Sequence, residues 1–201
     1  PGPRAGGHPV AETRRRPARE RILTSATTLF YERGIAATGI DAVVEHAGVA
    51  RKSLYNNFAS KDELIAAFIE RRHHQWLDLH QARLRAAGST PAKQVLAVVD
   101  AYIDHAEADG THFRGCGLLN SAAEFPLGSA PRAQVARHKQ EVEDIVATAL
   151  GSGDRASDRA SDRATALHIS FLLEGAMSRS GLDGTTTHLH HAREIIRALA
   201  A

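Results

Sequence analysis

GVARKSLYNNFASKDEL, from Gly48 to Leu64, decides how the chain folds. It sets Arg51, Lys52, Tyr55, Asn56 and Asn57 between a glycine turn and a new helix start, leaving Val49, Leu54 and Phe58 to pack inward. Just upstream, Thr38 opens a helix with Asp41 three residues on, a capping-box-like pair. Val43, Val44 and Ala47 form its apolar face, and Gly48 closes it. A third short helix follows from about Arg51 to Asn57. Two short helices joined by a glycine-containing turn make the helix-turn-helix pattern.

The elements on either side agree. Upstream, Pro17 suits the first position of a helix, and Ile22, Leu23, Ala26, Leu29 and Phe30 recur at helical spacing. Gly34 ends that helix. Downstream, Ser60 and Glu63 make an S-x-x-E capping box. It opens a fourth helix carrying Leu64, Ile65, Phe68, Ile69, Trp76 and Leu79 to about Ala87. Beyond Gly88 the alternation typical of strands never appears. Helices are expected from Thr90-Pro91, from Leu118 to about Phe125, and from about Arg132 to Leu150. Three tetrapeptides between Asp154 and Thr165 repeat Asp-Arg-Ala-Ser/Thr. They are too short for a solenoid unit and predict a solvated linker running into the next helix. Two final helices span about Asp162–Ser180 and Thr185–Ala200. The fold class is all-α: a flexible basic arm over 1–16, a three-helix helix-turn-helix domain over 17–63, and a larger helical domain over 64–201.

Composition narrows the partners. The chain has 201 residues and a net charge of +2, unevenly placed: residues 1–61 carry +5 and the remainder −3. A basic head on an acidic body suits nucleic-acid binding followed by a different task. No apolar run reaches the ~20 residues that cross a bilayer, and the N-terminal stretch has no apolar segment of the secretory kind. The one cysteine, Cys116, precludes an internal disulfide and suits a reducing cytoplasm.

In a helix-turn-helix the second helix enters the major groove with its first residues facing base edges. Arg51 and Lys52 can donate to guanine, and the Ser53 hydroxyl can serve either kind of base. Tyr55, Asn56 and Asn57 suit phosphate oxygens. Lys61 adds its cation at the start of the fourth helix. Thr38 does something similar with its hydroxyl at the second helix, where Gly39 lets the backbone approach closely. Arg14, Arg15, Arg16 and Arg19 can follow the phosphates or enter a neighbouring minor groove.

These residues resemble the TetR family of transcriptional regulators. The likeness runs from Arg19 to about Ile69, through RERILTSATTLFYERG, ATGIDAVVEHAGV, SLYNNF and SKDEL. It implies that the short third helix reads DNA and that Tyr55 and Lys61 touch phosphates. Ala50 departs from the Ser or Thr the family usually places there as N-cap. Arg51-Lys52 departs from the commoner pairing of a cation with a small residue, implying a different operator. RGCGLLNSAAEF, Arg114 to Phe125, is similar to a sixth-helix segment found in a subset of members.

The resemblance further implies a homodimer through the last two long helices, bound to a palindromic double-stranded operator. It also implies a cavity among the fourth to eighth helices, where a small effector would tilt the fourth helix and release DNA. Trp76, Tyr102, Phe113, Phe125 and Phe171 are the candidates for its wall. With few internal charges expected, the effector is expected to be mostly apolar. Repression is the expected direction of control. The alternatives are a regulator governed by a protein partner or by redox at Cys116, and an enzyme pairing Cys116 with a histidine. No nucleophile elbow, P-loop or dinucleotide fingerprint supports the enzyme. No cofactor is expected, and no metal: His188 and His191, like His73, His74 and His80, lack a local carboxylate or cysteine to complete a set.

Overall fold

The computed structural model describes residues 9–110, 113–151 and 159–200, with side chains from residue 17 onward. Among these residues there are nine helices and no strand. They are α1 (Pro9–Arg33), α2 (Ile40–Ala47), α3 (Arg51–Asn57), α4 (Lys61–Ala87), α5 (Pro91–Ala108), α6 (Gly117–Ala123), α7 (Ala130–Leu150), α8 (Arg159–Asp183) and α9 (Thr187–Leu199). The chain divides into two compact units, Pro1–Phe68 and Ile69–Ala201. The division falls inside α4, five residues beyond the expected boundary at 63/64. The cause is packing. Leu64, Ile65 and Phe68 are buried, and the Phe68 ring meets Phe30 of α1 edge-on at 5.5 Å.

The first unit corrects the expected arm. Residues 9–16 are helical and Pro17 lies inside α1 instead of starting it. Ala11, Glu12 and the arginines favour helix, so the local preference outweighs the one backbone bond that proline removes. Residues 1–8, and the side chains of Arg14, Arg15 and Arg16, lie outside the described residues.

Ile22, Leu29, Val43, Leu54 and Phe58 meet in the core of this unit, each 2% exposed or less. Gly48 ends α2 in the left-handed region at φ +59°, with its N–H donated to the Glu45 carbonyl. The Arg21 guanidinium of α1 donates to the carbonyls of Ala47 at 2.6 Å and Gly48 at 2.7 Å. It thereby satisfies the carbonyl end of α2 and fixes the turn leading into α3. The S-x-x-E box forms with a shift of one residue. Ser60 Oγ accepts the Glu63 N–H at 3.1 Å, while the Glu63 carboxylate accepts from Ala59 N–H at 2.7 Å.

In the second unit α5 is the central helix. Val95, Val98, Val99, Tyr102, Ile103 and Ala106 are all buried, and α5 packs on α7, α8 and α9. Ile169, Leu173 and Met177 of α8 and Leu189 and Ile196 of α9 complete this core. The backbone of α8 also runs directly against the loop before α6. A Cβ on Gly181 would lie 2.4 Å from the Gly115 nitrogen.

Candidate nucleic-acid interface

Helix α3 buries one residue of its seven, Leu54. Arg51, Lys52, Tyr55 and Asn56 are exposed, while Ser53 and Asn57 are half-buried. The exposed face therefore carries donors at i, i+1, i+4 and i+5, one continuous stripe, and α3 holds no carboxylate. The Arg51 guanidinium stacks over the Tyr55 ring at 5.9 Å and pairs with Asp41 of α2 at 3.0 Å. That ion pair is 60% and 78% exposed on its two sides, so it breaks at little cost for a stronger acceptor. Ala50 offers no side-chain cap to α3, matching the departure noted in the sequence.

Three expected contact residues are placed differently. Thr38 is only 1% exposed, with its hydroxyl 2.7 Å from the Gly34 carbonyl and its N–H donated to Ile35. The true N-cap of α2 is Gly39. Thr38 instead satisfies carbonyls at the end of α1, which removes it as a phosphate contact. Asn57 donates its amide to the Ser53 carbonyl at 2.7 Å, closing α3. Lys61 donates to the Ile35 carbonyl at 2.7 Å and lies 6.0 Å over the Phe30 ring, so its ammonium has a structural partner before any phosphate arrives.

Gly39 stands at the surface as the N-cap of α2. It is exposed with ordinary φ −79°, and a Cβ there would meet nothing within 4 Å. The fold itself does not require glycine at this position. No side chain caps the first N–H groups of α2, which are donors without helical acceptors. The positioning residues Arg21 and, through its guanidinium 4.8 Å over the Phe58 ring, Arg19 were not identifiable as such from sequence spacing. Only the three-dimensional packing joins them to α2 and Phe58.

The interior of the second unit is more charged than expected. Trp76 and Tyr102 line a cavity of about 30 Å³, together with Arg72, His73, Cys116 and Lys139. Lys139 donates to Glu174 at 2.5 Å, and the Tyr102 hydroxyl lies 3.2 Å from the same carboxylate. Burial pushes the Tyr102 hydroxyl up. Phe113 belongs to the packed core and is 6% exposed. Phe125 is half-buried and Phe171 is 65% exposed, so Phe171 is no cavity wall. It stands on the side of α8 opposite Ile169 and Leu173. A wider open groove of about 540 Å³ runs past His80, Leu84, Arg137, Gln140 and Asp144.

His105 gives this interior a pH dependence. Burial, with Arg72 nearby, lowers its pKa from 6.5 to about 3. The unfolded chain takes up this proton first, so the associated stability is present above about pH 6.5 and is lost as pH falls toward 3. Burial acts on His80 and His138 in the same direction. Thermal melts from about pH 7 to about pH 4 are expected to show a falling Tm, and His105→Gln to flatten that fall. A Tm profile identical in His105→Gln would refute the assignment.

The comparisons with known proteins decide the family. Residues 22–68 match the bacterial regulatory proteins of the tetR family, and residues 91–196 match the tetracyclin repressor-like C-terminal domain. The second match alone covers more than half of the chain. The chain belongs to the TetR family. It is 31% identical to SCO4454, a TetR-family transcriptional regulator from Streptomyces coelicolor, with TM-score 0.78 over 92% of this chain and 97% of that one. It is 34% identical over 97 residues to the transcriptional activator FasR of Mycolicibacterium smegmatis, covering 48% of this chain and 43% of FasR. It is 29% identical over 114 residues to the transcriptional repressor KstR2 of Mycobacterium tuberculosis, covering 57% and 54%. The chain thus spans about half the length of these curated relatives. The family is one of bacterial regulatory proteins, and no described helix is long and apolar enough to cross a membrane.

Proposed function

We propose that this TetR-family chain is a homodimeric repressor whose α3 reads a palindromic operator and whose second unit takes a small effector. The exposed, carboxylate-free stripe of Arg51, Lys52, Tyr55 and Asn56 carries the proposal. Arg51 and Lys52 read bases, Tyr55 and Asn56 hold phosphates, and Gly39 admits a phosphate to the start of α2. Dimerisation is supported by Leu167 and Phe171 on α8 and by Ile195 and Leu199 on α9. Both pairs are four residues apart, and all four residues are exposed. Apolar stripes of this kind are the material of a helix–helix interface.

The effector is polar or amphipathic. A cavity of about 30 Å³ is far below the ~300 Å³ at which ligand pockets begin. The open groove, with Arg137 and Asp144 in its wall, has the size. Occupancy acts through α4, whose first turns lie in the first unit and whose remainder lies in the second. A coupling of ~1–3 kcal/mol suffices.

Fluorescence anisotropy on a selected operator tests the role of α3. Arg51→Ala is expected to cost about 1–3 kcal/mol on the preferred site and to relax base preference at one position per half-site. Lys61→Ala is expected to weaken all duplexes alike and to reduce the salt slope by about 1. Equal effects of the two substitutions on base preference would overturn these roles.

A further inference from the structure

The fold brings two local i,i+3 pairs, Glu70 and His73 on α4 and His138 and Glu141 on α7, together into one set of metal ligands. His73 of α4 and His138 and Glu141 of α7 each present a ligand atom, all within 4.8 Å of one another. His73 Nε2 lies 2.9 Å from Glu141 Oε2. A second carboxylate, Glu70, has Oε2 3.2 Å from His138 Nε2. We infer that His73, His138, Glu141 and Glu70 form a site for one borderline divalent transition ion of the Zn²⁺ type.

Two observations carry the inference beyond a chance cluster. His138 is 9% exposed and His73 is 3% exposed, and the buried Nε2 of His138 has no well-aligned hydrogen bond, only the Glu70 carboxylate oxygen 3.2 Å away. A buried imidazole nitrogen held only by a poorly aligned contact is a cost the fold bears unless something better fills the position. The ligands also straddle two spaces. His73 and His138 line the small inner cavity, and half-exposed Glu141 lines the open groove, which gives an ion a route in.

The chemistry selects the ion. Two imidazoles disfavour Mg²⁺ and Ca²⁺, which prefer all-oxygen sites. Two carboxylates balance a doubly charged ion. Tetrahedral Zn²⁺ with bonds of ~2.0–2.1 Å sets its ligand atoms roughly 3.3 Å apart. The 3.2 Å separation of His138 and Glu70 already fits, and the His73–Glu141 pair must open by a few tenths of an ångström. The His73 and His138 rings stack at 3.9 Å and 20°. Stacked rings cannot both aim in-plane lone pairs at one ion, so binding unstacks them and joins α4 to α7 through the metal. The histidines that lie close together in the sequence are engaged in other ways. His188 pairs with Asp183 at 2.7 Å, and His80 stacks on Trp76.

The test uses the full chain, stripped of metal. Equilibrium dialysis against Zn²⁺ is expected to find one tightly bound ion per chain, and Co²⁺ is expected to give the visible absorption of a four-coordinate site. His138→Gln and Glu141→Gln should each weaken binding by about 10-fold or more, while His188→Gln should leave it unchanged. Glu141 is half-exposed, so its variant retains the fold even where His138→Gln does not. Absence of stoichiometric binding would overturn the proposal. So would binding that survives Glu141→Gln unchanged, or that depends on His188.

Discussion

Phe58→Ala is expected to unfold the DNA-binding unit while leaving the second unit folded. Phe58 follows α3 directly and is 0% exposed, among the largest fully buried side chains of the described residues. Its ring also carries the Arg19 guanidinium at 4.8 Å. Truncation of a buried phenylalanine costs about 3–5 kcal/mol, a large share of the ~5–15 kcal/mol of a whole domain. The unit concerned is small and has little core to spare. Hydrogen exchange is expected to show lost protection across residues 22–68 and retained protection across 91–196, and anisotropy to show no operator binding. Retained protection in both regions would mean that Phe58 does not support α3.

Gly181→Ala is expected to damage the second unit by a different route. The added Cβ would lie 2.4 Å from Gly115 N, 2.6 Å from Gly115 Cα and 2.7 Å from the Arg114 carbonyl carbon. All three are backbone atoms, so no rotamer change relieves the clash. Gly115 itself holds φ +83°, a conformation that costs other residues about 1–2 kcal/mol. The loop and α8 must separate, exceeding the ordinary ~1–3 kcal/mol of overpacking. Tm should fall by about 5–10 °C. Gly175→Ala on the same helix is the control, since its Cβ would meet nothing within 4 Å and alanine favours helix. Equal melting of the two variants would contradict this reading of the contact.

How much of this was legible in the sequence depends on the range of the interactions. Helical periodicity and glycine caps placed α2 to α7 within a few residues, and α4 to Ala87 as expected, because those signals act over one or two turns. Pro17 misled, since proline marks a helix start more often than it sits inside one. Thr38 misled for a related reason. A threonine before Asp41 reads as an N-cap, but its hydroxyl is 2.7 Å from the Gly34 carbonyl behind it. The exposed stripe on α3 follows from seven consecutive residues. By contrast, the Arg21 bonds to Ala47 and Gly48 and the approach of His73 to Glu141 join residues far apart in the chain. Phe171 was taken for interior because hydrophobicity alone does not distinguish a core from an interface.

The outward face of α3 is the claim on which the functional account stands, and selection of duplexes from a random pool by the purified chain tests it most directly. The wild-type chain is expected to enrich a palindrome, and Arg51→Ala or Lys52→Ala to change the bases enriched within each half-site. Enrichment of no sequence, or of the same bases by both variants and the wild type, would contradict it.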